Sequence, residues 1–331
     1  MKFNLVILLI IVAQPLALAK ATRLSVYTSR KEHLVKDIFM QYEKETGVKV
    51  SYKTGKAGAL IQNILSEGKS TPADLFMTVD AGNLGQAASK GILESINSSK
   101  LTATIPKNLR DSKNRWFALS MRARTIVVNS DKVSKNEVID YETLADKKWR
   151  GRLCLRTSKK VYNQSLVAML IDQHGRKKAK GIVAGWVKNN VEIFSNDTAA
   201  LKAVAAGRCD ATIVNTYYFG RLQKQNPKLP LRLTWPNQKS SGVHVNVSGA
   251  GVVKSSKHKK EAIAFLEWLA SKEAQKSFAQ VNMEYPVLKG LPNDPLVDSW
   301  GSFKANSSFQ LSLAGPLQKD AIKLMDEVGY K

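Results

Sequence analysis

Two α/β lobes joined by a hinge are the fold this sequence predicts, and three observations predict it. Short β-branched runs alternate with amphipathic stretches, which implies parallel sheet with crossover helices on its faces. Two long extended runs interrupt that alternation, and each is long enough to leave one sheet and enter another. Once an N-terminal leader is set aside, about 310 of the 331 residues remain, more than one hydrophobic core usually serves.

The leader spans residues 1–19. Lys2 supplies a positive start, Phe3 to Ala13 an apolar run, and Ala17-Leu18-Ala19 a small-residue cleavage site, the pattern of a secretory signal peptide. The run falls short of the roughly 20 apolar residues a membrane span needs, and no later segment approaches that length. No cysteine stands at the cleavage site, so no lipid anchor is expected. The mature chain is expected to be soluble and exported, starting near Lys20.

In the first half, 24–28 reads as a strand, 32–46 as a helix ended by Gly47, and 48–52 as a second strand. A helix over 57–67, a strand over 74–79 and a helix over 81–89 closed by Gly91 follow. Residues 116–129 (WFALSMRARTIVVN) form the first extended run, with no turn chemistry inside it. The second set holds strands at 153–156, 191–194 and 211–214, and helices at 164–173, 176–188 and 199–206. Residues 243–253 are the second extended run, and helices over 259–270, 272–278 and 316–328 complete the chain. The expected division is 20–120 for the first part of the N-lobe, 121–249 for the C-lobe, 250–295 for the rest of the N-lobe, and 296–331 for a helical segment packing on the C-lobe. Two crossings between two α/β lobes describe a hinged clamshell.

The formal net charge of +24 is carried by lysines and arginines scattered among acids, without an arginine-rich arm or an aromatic-interleaved stripe. That reads as a solvated basic surface, with attraction to anionic surfaces or ligands as the second reading. Nucleic acid is excluded as a partner for want of any recognition motif. Cys154 and Cys209 each sit in or beside an expected strand; in an oxidising compartment they are free to pair as a disulfide, and a thiolate metal site lacks any C-x-x-C or nearby histidine. Enzyme signatures fail. Gly249-Ala250-Gly251 opens like a dinucleotide fingerprint, but Lys254 stands where the next glycine is needed. Ser248 has no nameable base, and His33, His174, His244 and His258 lie far apart in sequence.

NTYYFG, residues 215–220, is the candidate for chemistry; taken alone, a tyrosine pair reads as structural packing or an exposed recognition surface, and a third tyrosine shifts that reading. Adjacent side chains diverge on a helix or a strand, so Tyr217 and Tyr218 are expected to converge only at an irregular junction after strand 211–214, with Asn215 or Thr216 as helix cap and the helix starting at Phe219. Ligands of open α/β sheets bind beyond such carboxyl ends. Tyr162 stands at an equivalent junction after strand 153–156, so one sheet can gather three phenols. An ordinary tyrosine ionises near pH ~10, and only a strongly polarising cation takes its proton at neutral pH. Ferric iron is such a cation, and three tyrosinates would cancel its charge. A small anion such as carbonate could complete the shell, held by guanidinium groups. Arg30 follows the first strand; Arg122 and Arg124 share one face of the first crossing run.

The chain resembles the periplasmic ferric iron-binding proteins of bacterial ABC importers, members of the transferrin-like binding-protein superfamily. The matching stretches are VYTSR (26–30), ETGVKVSY (45–52), TPADLFMTVDAGNL (71–84), RWFALSMRARTIVVN (115–129), WRGRLCLRTS (149–158), VYNQSLVAML (161–170), NDTAALKAVAAGRCDATIVNTYYFGRL (196–222) and HVNVSGAGVVK (244–254). The resemblance implies the type II periplasmic binding protein clamshell. It implies Fe(III) ligation by Tyr162, Tyr217 and Tyr218, and a synergistic carbonate held by Arg30 and Arg122. Family members that add a histidine, or a histidine and a tyrosine, after the Y-x-x-R segment, or a glutamate in the 76–80 segment, are not matched, because Lys31, Glu32 and Val79 stand there. This leaves the three-tyrosine subgroup, with Lys31 read as solvated. The expected function is a non-enzymatic Fe(III) carrier that delivers to an inner-membrane ABC permease. The alternative is a binding protein of the same fold for a small anion, with the arginines as main ligands.

Overall fold

The computed structural model describes residues 23–137 and 139–331, so the signal peptide expected over 1–19 lies outside the described residues. Strands β1 (Arg23–Thr28), β2 (Lys49–Thr54) and β3 (Leu75–Val79) alternate with helices α1 (Lys36–Thr46), α2 (Ala57–Glu67) and α3 (Ala81–Ser89), and the short α4 (Ser99–Thr104) follows. The long β4 (Phe117–Asn129) leads into β5 (Leu153–Arg156), α5 (Val161–Lys188), β6 (Glu192–Phe194), α6 (Asp197–Ala205), β7 (Ala211–Asn215), α7 (Thr216–Gln225) and β8 (Leu231–Thr234). Strand β9 (Val245–Val252) precedes α8 (Lys259–Leu269), α9 (Lys272–Asn282), α10 (Pro295–Asp298) and α11 (Gln318–Glu327).

The strands run in the order β2-β1-β3-β9-β4-β7-β5-β6, with β8 also paired to β4. β1 is parallel to β2 and β3, and β5 is parallel to β6 and β7, as the alternation of strand and helix requires. β4 is the strand that crosses. From Phe117 to Ala123 it pairs antiparallel with β9, and from Arg124 to Val128 it pairs with β7. The handover between Ala123 and Arg124 divides the sheet into two halves, each with its own helices. The chain returns at Val243–Val245, where Val243 bridges to Ala305 and Val245 pairs with Ala123.

Three elements differ from expectation. The helix expected from residue 32 begins as a 3-10 turn at Glu32–Leu34, because Val35 leaves helical geometry (φ −133°) and buries its side chain before α1 starts. The helices expected at 164–173 and 176–188 abut in one run, broken at Gly175 with φ 71° and ψ 157°, a conformation open to glycine. Helix α7 begins at Thr216 rather than at Phe219. The short β8, α4 and α10 carry too few residues for a periodic signal.

Cys154 of β5 and Cys209, just before β7, are joined in a disulfide with Cα atoms 5.8 Å apart. Closing a loop of 55 residues stabilises the fold by about 4 kcal/mol on the chain-entropy account. Helix α11 packs along α5. The turn before α11 reaches α3, where a Cβ on Gly85 would lie 2.9 Å from the Gly315 Cα, so neither position tolerates a side chain. At the hinge, His244 is fully enclosed beside Phe309, and burial, then Arg124 and Arg122, depress its pKa to about 3. It is a neutral packing residue.

Candidate metal centre

A cleft of about 500 Å³ opens where strand ends from both half-sheets meet. Its walls come from the residues that follow those ends: Ser29 and Arg30 after β1, Val79 at the end of β3, Arg156 at the end of β5, and Tyr217 and Tyr218 after β7. Tyr162, in the first turn of α5, completes the set.

The tyrosine pair lies in the first turn of α7, not in an irregular junction as the sequence suggests. The rings nevertheless converge, with centroids 4.5 Å apart and planes inclined at 41°. Side chains in a first turn lean back toward the helix N-terminus, and that lean brings two long neighbours together over the strand end. Asn215 occupies the cap position, but its side chain makes no cap hydrogen bond; its Nδ2 donates to the Tyr217 hydroxyl at 3.1 Å. The three phenols stand near enough that ionising one raises the pKa of another.

Burial, reinforced by Tyr218, pushes the Tyr162 phenol up to about 12, against the opposing pull of Arg122. Burial likewise raises Tyr217 well above its ordinary value, with Tyr162 and Tyr218 adding to the effect. Cations ring the phenols. Lys160 Nζ lies 4.7 Å from the Tyr162 ring centre, Arg156 5.4 Å from that ring and 6.0 Å from Tyr218, and Arg221 5.0 Å from Tyr217. The Tyr162 and Tyr217 protons therefore stay on at neutral pH until something more polarising than an arginine takes their place.

Arg30 lines the cleft and is 2% exposed. Its Nη1 donates to Ser248 Oγ at 2.5 Å and its Nη2 to Glu284 Oε2 at 3.2 Å. Arg122 lies one layer deeper, 5.7 Å behind the Tyr162 ring, and its Nη1 reaches the same Ser248 oxygen at 3.3 Å. Arg122 Nε and Nη2 and Arg30 Nε have no protein partner among the described residues. A buried donor left unpaired costs about 1–3 kcal/mol, so unused donors on two converging guanidiniums suit an oxyanion. Arg124, on the same face of β4, does not join them. Its guanidinium is taken up by Asp197 at 2.7 Å, Asn163 at 2.6 Å and Asn215 at 3.3 Å, and Asp197 also holds Arg156. The reason is the handover in β4: Arg122 pairs with β9, Arg124 with β7.

Sequence reasoning missed Arg156, Lys160, Arg221 and Glu284. Arg156 and Lys160 carried a usable signal, since both sit in the strand-to-helix junction that supplies Tyr162. Glu284 carried none, because it follows α9 and its partners lie in β4 and after β1. Lys31 is exposed at the cleft mouth, and Glu32 is occupied by the Tyr52 hydroxyl at 2.8 Å. Among the described residues no cluster of three or more His, Cys, Asp or Glu could hold a metal, which leaves the phenols as the candidate donor set.

Two α/β half-sheets sharing a crossing strand, with a polar cleft at the ends of their strands, define a type II periplasmic binding protein. The chain belongs to the bacterial extracellular solute-binding protein family, whose model matches residues 37–305. It is 40% identical over 315 residues to iron uptake protein A1 of Synechocystis, covering 93% of this chain and 87% of that one. It is 28% identical to the major ferric iron-binding protein of Neisseria meningitidis, with 80% of each chain covered. A Trichodesmium structure solved with iron and citrate ligands superposes with a TM-score of 0.87 at 45% identity, over 93% of this chain and all of the other. The resemblance drawn from the motifs and the disulfide expected of the two cysteines are both borne out.

Proposed function

We propose that this chain is a periplasmic carrier that captures Fe(III) between its lobes and hands it to an inner-membrane ABC permease. The observation that carries the reading is the gathering of Tyr162, Tyr217 and Tyr218 on one cleft, ringed by cations and without a competing carboxylate or imidazole cluster. Phenolate is a hard oxygen donor matched to a trivalent ion. Three of them neutralise its charge, and a small anion such as carbonate, facing Arg30 and Arg122, fills the remaining positions. Export by a cleaved signal peptide without a lipid anchor and action as a monomer belong to the same proposal. No helix among the described residues is long and apolar enough to cross a membrane.

Ferric titration of metal-stripped protein tests this, with and without bicarbonate, followed by visible absorbance. A phenolate-to-iron charge-transfer band saturating at one equivalent is expected. The pH dependence has a definite sign. Tyr162 and Tyr217 are protonated in the empty protein, because burial raises both, so each of them releases a proton on becoming a ligand. Affinity should rise with pH by up to about tenfold per unit for each proton released, and acid should strip the iron. A protein that binds anions but stays colourless with iron would be an anion carrier instead.

A further inference from the structure

Glu284 is the sole carboxylate among the residues lining the cleft, against Arg30, Lys31, Arg156, Lys160 and Arg221. It is buried, and its backbone is held rigidly: Met283 adopts a left-handed conformation (φ 53°), and Tyr285 exchanges two backbone hydrogen bonds of 2.7 Å with Met121. The segment that carries its side chain is therefore a held strand rather than a loose loop at the rim. Both hydrogen bonds to it fall on Oε2, from Ser120 Oγ at 2.6 Å and from Arg30 Nη2 at 3.2 Å. The serine contact is short, whereas the arginine contact sits at the long end of the range for N–H···O bonds. Glu284 is thus anchored by Ser120 and holds Arg30 more loosely.

Two guanidiniums, Arg30 and Arg122, lean on the single hydroxyl of Ser248, and both keep donors without protein partners. Buried like charges this close need counter-charges: the fully enclosed Asp80 acts on Arg122, and Glu284 is the one paired with Arg30. We infer that Glu284 is an internal competitor of the synergistic anion: it occupies Arg30 in the empty cleft, yields it when a small oxyanion enters, and so sets how much anion iron loading requires. This rests on the reading of the cleft as an anion-assisted ferric site.

The experiment measures the bicarbonate concentration giving half of the iron charge-transfer band, in the wild type, Glu284→Gln and Ser120→Ala, with thermal unfolding as a control for folding. E284Q removes the competing charge and should lower that concentration by roughly tenfold, the range of one charge-assisted contact, without moving the band. S120A removes the anchor, leaves Arg30 as the carboxylate's remaining partner, and should raise the concentration; it also keeps the test alive if E284Q does not fold. An unchanged requirement in both folded variants overturns the inference. A band displaced in E284Q would put Glu284 on the iron itself and overturn it equally. Failure of the ferric reading is distinguishable, since the wild type would then show no band at all. A wild-type band indifferent to bicarbonate would remove the anion site, and this inference with it, while leaving the iron site standing.

Discussion

Replacing Tyr217 by phenylalanine should lower ferric affinity by more than about 100-fold and abolish most of the charge-transfer absorption. The estimate is a floor: groups that merely orient a metal ligand are worth about 10–100-fold, and Tyr217 is proposed as a ligand itself. The hydroxyl that is lost takes its hydrogen bond from Asn215 Nδ2, so a small packing change accompanies the chemical one. The ring that remains still packs against Met283, Val297 and the Tyr218 ring, so the fold should persist. Titrating the variant and the wild type side by side, with thermal unfolding as a control, separates ligand loss from unfolding. Affinity within a factor of a few of the wild type would remove Tyr217 from the coordination shell.

Asp197→Asn should destabilise the fold strongly. Asp197 is fully buried at the start of α6 and bridges two arginines, Arg124 at 2.7 Å and Arg156. Breaking a buried ion pair by removing one partner costs about 3–5 kcal/mol, because the opposite charge stays behind unpaired. Here two would stay behind. At about 2–4 °C per kcal/mol, the scale for cooperative units of roughly 150–250 residues, the melting temperature of the empty protein should fall by roughly 10 °C. Adding Arg124→Met should restore part of the loss by removing one stranded charge. A melting temperature within 2 °C or so of the wild type would show that water or rearrangement relieves the arginines.

The alternation of strands and helices was legible because parallel sheet writes itself as short β-branched runs between amphipathic stretches. The hinge was legible in residues 116–129, whose uninterrupted extended character matches the partner exchange along β4. The three phenols were legible because each stands within a few residues of a strand's carboxyl end. What escaped was the start of α7: Asn215 was read as a possible cap and does hold the cap position, but its side chain turns to Tyr217 and Arg124, and the two tyrosines belong to the helix's first turn rather than to a junction before it. Arg122 and Arg124 look equivalent by alternation, and only the pairing of β4 with β9 on one side and β7 on the other sends them to different layers. Glu284 meets Arg30 across 254 residues of sequence, a separation at which no local pattern reports.

The claim that three phenolate oxygens share one trivalent ion is tested most directly by anomalous diffraction at the iron edge, from crystals grown with ferric salt and bicarbonate. The account predicts a single peak in the cleft, within bonding distance of the hydroxyl oxygens of Tyr162, Tyr217 and Tyr218, with an anion between the iron and the two arginines. A peak elsewhere on the molecule, or an ion in the cleft that touches none of those oxygens, would contradict it.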